Sequence, residues 1–435
     1  MRVTTLMAVV IAAILAFTVP AAQTGPAVEI TFTSTQFSPV HETEWARDTL
    51  FRAFETETGI RVRFVSELAG PYMDRLQAEA RVGRGSIDLT GTLHGDFPIL
   101  VPAGVARDMA SVQADLARRG DRTFFPDLVR ISQVGGIQAY VPWMQATYLI
   151  VAHKRAMAYF PRGSNPMAMT YDDLLEWGDA IKAATGTRRI GFPAGPGGLF
   201  GRFLHGYIYP SFTGSQVKRF KSPEAVEMWR YLRRLGGVLH PSSFLYSFMH
   251  EPLLLGEVWV AWDHTARLLP ALRDRPDDFV VLPSPAGPRG RSFLSVIVGL
   301  TIPKTAPNAE AAARLIEFLT RPRTQVLTVQ GVAFFPTVRE AAGAVPTGGM
   351  KLLAEAVTAQ QGARDARVAL LPVGLGVRTG EFVPLYVDTF REISVLGKPI
   401  EEVLAAQARK LEELYRAMNA VCPPPDPAIT PCRPD

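Results

Sequence analysis

Aromatic and hydrogen-bonding side chains recur in this 435-residue chain at the ends of predicted strands and in the loops beside them. Aromatic faces cover the apolar surface of a ligand, while amide, carboxylate, hydroxyl and guanidinium groups hydrogen-bond to its polar atoms. Such a mixture suits the non-covalent binding of a small molecule, with no cofactor or metal ion. The candidates are Gln36, Phe37, His94, Asp96, Trp143, Gln145, Thr147, Trp262, Asp263, Arg267, Phe293, Ser295, Arg378 and Phe382.

The aromatic candidates differ in how strongly their neighbours favour a binding role. Trp143 and Trp262 have proline or polar neighbours instead of an apolar periodicity, which favours a place in the pocket. Phe37 and Phe293 are more typical of core residues, because aromatic side chains are generally buried. The sequence therefore favours the two tryptophans as the aromatic platforms of the pocket.

The charged candidates also have structural interpretations. Asp263 could cap the helix that is predicted to follow it, and Arg267 and Arg378 could be surface charges. His94 is more typical of a hydrogen-bonded loop histidine than of a metal ligand. The roles of these four residues stay open at the level of the sequence.

Catalytic motifs do not accompany these residues. The sequence contains no Gly-x-Ser-x-Gly elbow, no His-Glu-x-x-His pair, no Walker loop and no carboxylate pair with a distinctive spacing. The glycine-rich segment 195–201 (GPGGLFG) lacks the Lys-Ser/Thr of a phosphate-binding loop, and it is predicted to be a flexible loop that covers a ligand. A secreted hydrolase is therefore the less favoured alternative, and we expect the protein not to be an enzyme.

Composition and charge exclude other protein classes. The net charge of +5 is spread over the whole chain without a dense basic run, which argues against nucleic-acid binding. The two cysteines, Cys422 and Cys432, lie in a proline-rich tail, where they could form a disulfide or remain free thiols. We expect a monomer.

The N-terminus has the pattern of a secretory signal peptide. Arg2 precedes an apolar run from Leu6 to Val19, and small residues complete the pattern at Ala22. The run is shorter than the ~20 residues of a membrane-spanning helix, and no cysteine follows it for lipid attachment. The sequence predicts cleavage of residues 1–22 and a soluble, non-lipidated protein in the periplasm or outside the cell.

Predicted strands and amphipathic helices alternate along the chain, as in α/β proteins. The predicted strands are 28–34, 60–65, 87–90, 137–141, 148–152, 258–261, 279–282 and 296–302. The predicted helices are 41–58, 72–82, 171–185, 222–236, 265–273, 308–319 and 399–417. Segments 142–147 and 283–291 are predicted to be crossovers between two domains.

The order of these segments resembles that of the extracellular solute-binding proteins of bacterial ABC importers, in particular the maltodextrin- and sugar-binding branch. The resemblance extends from about Val28 to Tyr415. It is carried by ITFTSTQF…FETETGIRVRFV, YMDRLQAEARVGRGSIDLTGT, IQAYVPWMQATYLIVAHK, MTYDDLLEWGDAIK, GEVWVAWDHTARLL and PSPAGPRGRSFLSVIVGLTIPK. The chain departs from the family where Val151-Ala152-His153-Lys154 replaces a strand end that is usually Tyr-Asn-Lys.

The resemblance implies an α/β, two-lobed periplasmic-binding-protein fold, in which each lobe is a mixed or parallel sheet flanked by helices. It assigns 28–141 and 291–340 to an N-terminal lobe, 142–290 and 341–420 to a C-terminal lobe, and 421–435 to the tail. It implies that the lobes close around a mono- or oligosaccharide and deliver it to the membrane subunits of an ABC permease. The net positive charge and the arginines near predicted loops leave open the alternative that the solute is anionic, such as a sugar phosphate or a carboxylate.

Overall fold

The computed structural model describes residues 28–67, 69–342 and 347–435, so the predicted signal peptide lies outside the described residues. The described chain alternates strands and helices, as predicted. Its strands are β1 (Glu29–Ser34), β2 (Arg61–Ser66), β3 (Leu89–Leu93), β4 (Gln133–Val134), β5 (Ile137–Gln138), β6 (Val141–Ala146), β7 (Tyr148–His153), β8 (Ile190–Gly191), β9 (Val260–His264), β10 (Phe279–Leu282), β11 (Arg291–Leu294), β12 (Val296–Thr301), β13 (Phe335–Pro336) and β14 (Ala366–Ala369).

Helices follow most of these strands. They are α1 (Val40–Trp45), α2 (Arg52–Thr58), α3 (Ala69–Val82), α4 (Phe97–Leu100), α5 (Ala110–Arg118), α6 (Pro126–Ile131), α7 (Tyr171–Thr185), α8 (Phe200–Phe203), α9 (Tyr209–Thr213), α10 (Pro223–Gly236), α11 (His250–Leu254), α12 (Thr265–Asp274), α13 (Ala309–Leu319), α14 (Pro322–Val332), α15 (Arg339–Ala342), α16 (Gly349–Gln361), α17 (Phe382–Phe390) and α18 (Ile400–Met418). A π-helical turn, Ala46–Phe51, joins α1 to α2, so the helix predicted at 41–58 is one helical segment.

The first lobe is built on a six-stranded mixed sheet with the order β13-β6-β12-β3-β1-β2. β1 pairs in parallel with β2 and β3, whereas β12 runs antiparallel to β3 and β6. The parallel pairing of β1 with β2 confirms the predicted βαβ unit at the start of the chain. Ile30 and Phe32 of β1 are buried, and so are Thr31 and Thr33, because both faces of this central strand are covered.

The second lobe is built on a four-stranded mixed sheet with the order β10-β7-β9-β8. All six residues of β7 are buried, as expected for a strand with neighbours on both edges and packing on both faces. Helices α12 and α16 pack against each other and against this sheet. The sequence did not predict α16 or α17, because neither has a flanking motif as clear as those of the other helices.

Helix α7 shows how the sequence sets a helix start. The Thr170 hydroxyl accepts a hydrogen bond from the Asp173 backbone N–H at 3.1 Å, and the Asp173 carboxylate accepts one from the Thr170 N–H at 2.8 Å. This reciprocal pair is a capping box, and it starts the helix at Tyr171, as the sequence predicts. The C-terminus of helix α2 is also set by the sequence. Gly59 adopts φ 71°, and this left-handed conformation ends the helix after Thr58, where the sequence predicts.

Some predicted bounds are wrong because local packing outweighs the residue types. Strand β6 occupies most of the predicted crossover 142–147. The pairing of β6 with β12 shifts in register between Val298 and Gly299, which places Pro142 at a bulge, where a proline is tolerated in a strand. β3 ends at Leu93 and not at residue 90. Gly91 lies within that strand. An added Cβ there would approach the Phe32 and Trp143 rings to 3.2 Å, so the glycine allows the two rings to pack closely on the strand.

The chain changes sheet at two single residues, Thr147 between β6 and β7 and Ser295 between β11 and β12. The predicted lobe boundaries after residue 141 and before residue 291 therefore do not coincide with the changes of sheet. Strand β6, which was assigned to the second lobe, belongs to the six-stranded sheet. Strand β11, which was assigned to the first lobe, pairs with β14 and is not part of the six-stranded sheet. The Thr147 hydroxyl lies 3.1 Å from the Leu294 carbonyl oxygen, so it ties one crossover to the other.

The C-terminal tail is folded against the second lobe. Cys422 and Cys432 form a disulfide, which decides between the two alternatives that the sequence left open. The buried Asp426 carboxylate accepts hydrogen bonds from the backbone N–H groups of Gln216, at 2.6 Å, and Lys218, at 2.7 Å, and from the Ser215 hydroxyl. The tail is therefore attached by a carboxylate that satisfies buried donors.

We predict that Asp426→Asn destabilises the second lobe by about 1–3 kcal/mol, because the amide nitrogen cannot accept the hydrogen bonds that one carboxylate oxygen now accepts. Urea unfolding followed by circular dichroism measures the change. Asp435→Asn is the matched control, since Asp435 forms an exposed ion pair with Lys218 and its loss should cost less than about 1 kcal/mol. Equal effects of the two variants would contradict the attachment role of Asp426.

Candidate functional site

A cleft between the two lobes contains two connected cavities. The smaller cavity, of about 160 Å³, is lined by Tyr148 and Val296, which directly follow the two crossover residues, and we call it the inner compartment. We call the larger cavity, of about 720 Å³, the outer compartment. The residues that line both are Thr35, Gln36, Ser38, Leu93, Leu199, Arg202, Arg267 and Leu371. The first lobe supplies the loops after β1 and β3, and the second lobe supplies segment 197–202, helix α12 and segment 371–383. A molecule in this cleft would contact both lobes.

An aromatic row forms the floor of the cleft and crosses from one lobe to the other. The ring centroids are 5.5 Å apart from Trp143 to Phe37, 5.9 Å from Phe37 to Phe334, and 5.5 Å from Phe334 to His264. The row continues over 5.2 Å from His264 to Tyr148 and over 4.7 Å from Tyr148 to Trp262, where the rings are stacked. We call these six residues the aromatic row. Four of them, Phe37, Tyr148, His264 and Phe334, line the inner compartment.

Phe37 holds the loop after β1 in an uncommon conformation. Its φ is 56°, in the left-handed region that bulky residues rarely adopt. The buried ring contacts Trp45 and Phe64 as well as its neighbours in the aromatic row, and this packing offsets the backbone strain. Consequently, Gln36 and Ser38 on either side of Phe37 lie in the cleft wall. Phe37 is both a core residue and a wall residue, so the two interpretations of the sequence do not exclude each other.

The two tryptophans lie behind the wall. Trp143 and Trp262 are each 1% exposed, and neither lines the cleft. Trp143 packs on Phe32 and Phe37 in the first lobe, and Trp262 packs on Tyr148 in the second. The predicted places were wrong, because Trp143 lies within β6 and not in a crossover, and Trp262 lies within β9 and not after a strand end. The sequence also could not show that another ring lies between each tryptophan and the cavity.

Two further candidates belong to the crossover instead of the wall. Thr147 is buried, and its hydroxyl meets the Tyr207 hydroxyl and the Gln360 side-chain amide, each at 3.0 Å. The Gln145 amide donates a hydrogen bond to the Pro336 carbonyl at 2.8 Å and so holds the edge strand β13. Both residues position the segments that join the lobes.

His94 and Asp96 follow β3, as predicted, and differ in their contact with the cleft. His94 is buried, and its Nε2 accepts a hydrogen bond from the Leu371 N–H at 3.2 Å, which links the first lobe to the segment after β14. Burial lowers the pKa of His94 to about 4, so the ring is neutral at pH 7. Asp96 lines the outer compartment and accepts a hydrogen bond from the Thr92 hydroxyl. Burial raises the pKa of the Asp96 carboxyl.

Asp263 and Arg267 are placed by strand β9 and helix α12. Asp263 accepts hydrogen bonds from the backbone N–H groups of Met249, at 3.0 Å, and His264, at 2.7 Å. It is not the helix cap, because His264 accepts the hydrogen bond from the Ala266 N–H. Burial raises the pKa of Asp263 to about 7. Arg267 is half-buried and lies in the walls of both compartments, and its role in binding stays a prediction.

The last four candidates are divided between the cleft and other places. Phe293 and Ser295 line a separate cavity of about 370 Å³, which shares no residue with the cleft. Arg378 forms an ion pair with Glu381 at 2.7 Å, outside the cleft walls. Phe382 is buried and lines the outer compartment. The predicted residues that line the cleft are therefore Gln36, Phe37, Asp96, Arg267 and Phe382.

Other wall residues were missed by the sequence analysis. Arg202 follows the glycine-rich segment 195–201, whose Gly197 and Leu199 also line the cleft, and this adjacency was a usable signal. His264 directly follows Asp263 and could have been included with it. Glu42 carried no signal, because an acid in the first turn of a predicted amphipathic helix is normally solvent-exposed.

Glu42 is a buried carboxyl group in the wall of the inner compartment. Burial raises its pKa to about 8, and the opposing effect of the Arg267 charge is smaller. Burial also lowers the pKa of His264 to about 3, aided by the charges of Arg267 and Arg202. At pH 7 the acid and the imidazole are therefore both mainly neutral.

Within the described ranges, no group of three His, Cys, Asp or Glu side chains is placed to hold a metal ion. In the same part of the chain, no helix combines the length and apolar character needed to cross a membrane. What the cleft offers is an aromatic floor, hydrogen-bonding groups on both walls, and two arginines.

A family model described as bacterial extracellular solute-binding protein matches residues 41–326. The chain belongs to this family. The match begins after the loop that follows β1. It includes the crossover at Thr147 and the helix that carries Arg267, and it extends past Ser295. A comparison with curated protein sequences finds no match.

Solved structures of similar fold are two-lobed binding proteins. A maltose-bound MalE3 of T. maritima is 20% identical, with a TM-score of 0.73, and the match covers 89% of this solute-binding protein and 100% of that chain. A solute-binding protein of Thermotoga lettingae, bound to α-D-tagatose, is 19% identical, with a TM-score of 0.69 and coverages of 89% and 99%. UgpB of Mycobacterium tuberculosis, in complex with glycerophosphocholine, is 16% identical, with a TM-score of 0.69 and coverages of 90% and 98%. These similarities confirm the two-lobed α/β fold that the sequence implied.

We predict that Glu42→Gln makes this solute-binding protein more stable than the wild type as the pH rises. The folded-state pKa of about 8 lies above the ordinary value of 4.5, so the wild type loses stability between about pH 4.5 and pH 8 while the folded state resists deprotonation. The difference in the free energy of unfolding between the variant and the wild type should grow by at most about 1.4 kcal/mol per pH unit in this interval. Urea unfolding of both proteins at pH 5, 6, 7 and 8 measures it.

Glu44→Gln is the matched control for this prediction, because Glu44 lies on the same helix and is exposed. Its stability difference from the wild type should stay constant over the same pH range. A constant difference for Glu42→Gln as well would show that Glu42 does not resist deprotonation in the folded protein.

Proposed function

We propose that this solute-binding protein captures a mono- or oligosaccharide between its lobes and delivers it to the membrane subunits of an ABC permease. Family membership and the sugar complexes of proteins with the same fold support the proposal. The observation that carries it is the cleft itself, whose walls come from both lobes and whose floor is the aromatic row.

The chemistry of the outer compartment suits a ligand with hydroxyl groups on an apolar skeleton. Gln36, Asp74, Gln77 and Thr379 offer hydrogen-bond donors and acceptors on opposite walls. The remaining lining includes apolar side chains, among them Met73, Ile99, Leu199 and Val383. A volume of about 720 Å³ lies within the range of small-molecule sites, so it has room for a sugar of more than one ring.

Lobe closure would act through the crossovers. Thr147 joins the six-stranded sheet to the four-stranded sheet by one residue, and Ser295 joins the β11–β14 pair to the six-stranded sheet in the same way. A small rotation of backbone dihedrals at these two residues would therefore move one wall against the other. A solute that contacts both walls gains contacts only when the lobes approach, so its binding favours the closed arrangement. Capture and release then need no chemical step.

We propose further that the protein is a monomer without enzymatic activity or cofactor, and that it acts outside the cytoplasm after its N-terminal signal peptide is cleaved, without lipid attachment. The extracellular character of the family supports the location. A glycosidase would need two carboxyl groups on either side of a sugar bond. The outer compartment contains Glu67, Asp74 and Asp96. Glu67 is held by Arg75 at 2.8 Å and Asp96 accepts a hydrogen bond from Thr92, so in the described part of the chain Asp74 is the one carboxylate of this compartment without such a contact.

We predict that Gly380→Trp weakens sugar binding at least about tenfold without lowering the thermal midpoint of the unliganded protein. Gly380 lines the outer compartment, and no atom lies within 4 Å of the position of an added Cβ, so the indole would occupy ligand space at little steric cost. The sugar is first identified by screening neutral mono- and oligosaccharides for a rise in the thermal midpoint, and its affinity is then measured by titration calorimetry.

Gly236→Trp is the matched control, because Gly236 has equally open surroundings but lies on α10, outside the cleft walls. It should leave the affinity unchanged. If a sugar bound both variants as tightly as the wild type, the ligand would not occupy the outer compartment.

A further inference from the structure

Two arginines of the cleft have no carboxylate partner. Within residues 28–67, 69–342 and 347–435, no acid lies within ion-pair distance of Arg202 or Arg267, although ion pairs are frequent elsewhere in the chain. Arg122 and Arg321, for example, share Glu317. A partly buried guanidinium normally has a compensating group, because removing its charge from water is costly. Other arginines in the described ranges also lack an ion pair, among them the buried Arg291 and the half-buried Arg188, so what distinguishes Arg202 and Arg267 is their place in the cleft walls.

The two guanidinium groups converge on the same part of the cleft. Both line the inner compartment, and both charges act on the His264 ring and on the Tyr148 hydroxyl. Arg202 is carried by α8 and Arg267 by α12, so two separate elements of the second lobe direct positive charge to one place.

Arg267 is held in position before any ligand arrives. Its Nη1 donates hydrogen bonds to the carbonyl oxygens of Gly197, at 3.2 Å, and Ser247, at 3.1 Å. The guanidinium carbon also lies 4.6 Å from the centre of the Phe248 ring. These contacts occupy one nitrogen and one face, and they leave the second terminal nitrogen for another acceptor.

The acids near these arginines do not neutralise them. Glu42 is mainly protonated at pH 7, since burial raises its pKa to about 8. Asp263 is only partly ionised near pH 7, since burial raises its pKa to about 7, and Asp96 faces the outer compartment. The inner compartment therefore combines two guanidinium groups with the neutral carboxyl group of Glu42, which can donate a hydrogen bond.

We propose that the inner compartment binds an oxyanion of the solute, a phosphate or carboxylate group, between Arg202 and Arg267, while the outer compartment holds the hydroxyl-bearing remainder. This inference rests on the proposed function and narrows its substrate class to acidic carbohydrate derivatives. Planar guanidinium groups pair with either oxyanion through two parallel hydrogen bonds, which neutral hydroxyl groups do not match.

The test compares matched solutes by titration calorimetry on the full mature chain. Glucose, glucose 6-phosphate and glucuronate form one set, and glycerol and glycerol 3-phosphate form another, with inorganic phosphate alone as a further probe. We expect at least one anionic member to bind about tenfold or more tightly than its neutral counterpart, with an affinity that falls as sodium chloride is raised. The comparison of glucose 6-phosphate with glucuronate shows whether the compartment prefers a phosphate or a carboxylate group.

Variants locate the effect. Arg202→Gln should reduce the preference for the anionic solute at least about tenfold and leave the affinity for the neutral one nearly unchanged, whereas Arg202→Lys should retain part of the preference. Arg409→Gln is the control for the change in net charge, because Arg409 is exposed on α18, outside the cleft walls. Thermal midpoints of the unliganded variants verify that each one folds.

The outcomes separate this inference from the function on which it rests. Neutral sugars that bind as tightly as their anionic counterparts, or more tightly, would overturn the oxyanion site and leave sugar capture intact. An Arg202→Gln variant that loses both classes equally would also overturn it. If neither class bound the wild type, the proposed carbohydrate function would fail together with the inference.

Discussion

The aromatic row is the constraint on which the cleft depends. Phe334 contacts Phe37 of the first lobe and His264 of the second, so the floor of the cleft is continuous across the joint between the lobes. Edge-to-face and stacked rings gain energy only within a narrow range of separations and angles. The row therefore restricts how the lobes can be placed, while the crossovers at Thr147 and Ser295 allow them to rotate. The walls above it, which carry the polar groups, are loops and helix ends that can vary without disturbing the floor.

Burial determines the charge of this cleft as much as the number of ionisable residues does. If they were exposed, Glu42 would be negatively charged at neutral pH and His264 and His94 would be partly protonated, but burial moves their pKa values to about 8, 3 and 4 respectively. Arg202 and Arg267 place two guanidinium groups in the same walls. A count of acids and bases along the sequence would have described this site as nearly balanced, whereas the folded arrangement makes its inner end positive.

Much of the fold could be predicted from the sequence because its signals are local. Helix α7 starts where the sequence predicts, because Thr170 and Asp173 form a capping box. Gly59 ends helix α2, and the alternation of strand and helix implied both sheets. The cleft residues were harder to predict. Trp143 and Trp262 have the polar neighbours of pocket residues, yet each is covered by a ring from elsewhere in the chain, Phe37 or Tyr148. Whether an aromatic residue is the wall or the layer behind it depends on tertiary packing, and so does the burial of Glu42.

The position of β12 has a consequence for how the chain acquires its structure. This strand lies between β3 and β6 in the six-stranded sheet, although about 150 residues separate it from β6 in the sequence. During synthesis the first lobe therefore lacks an inner strand until most of the second lobe has been made, and pairing over such a sequence distance is intrinsically slow. A nascent chain that cannot complete its first lobe early remains unfolded for longer. That delay would suit a polypeptide that must pass through a narrow translocation channel before it folds.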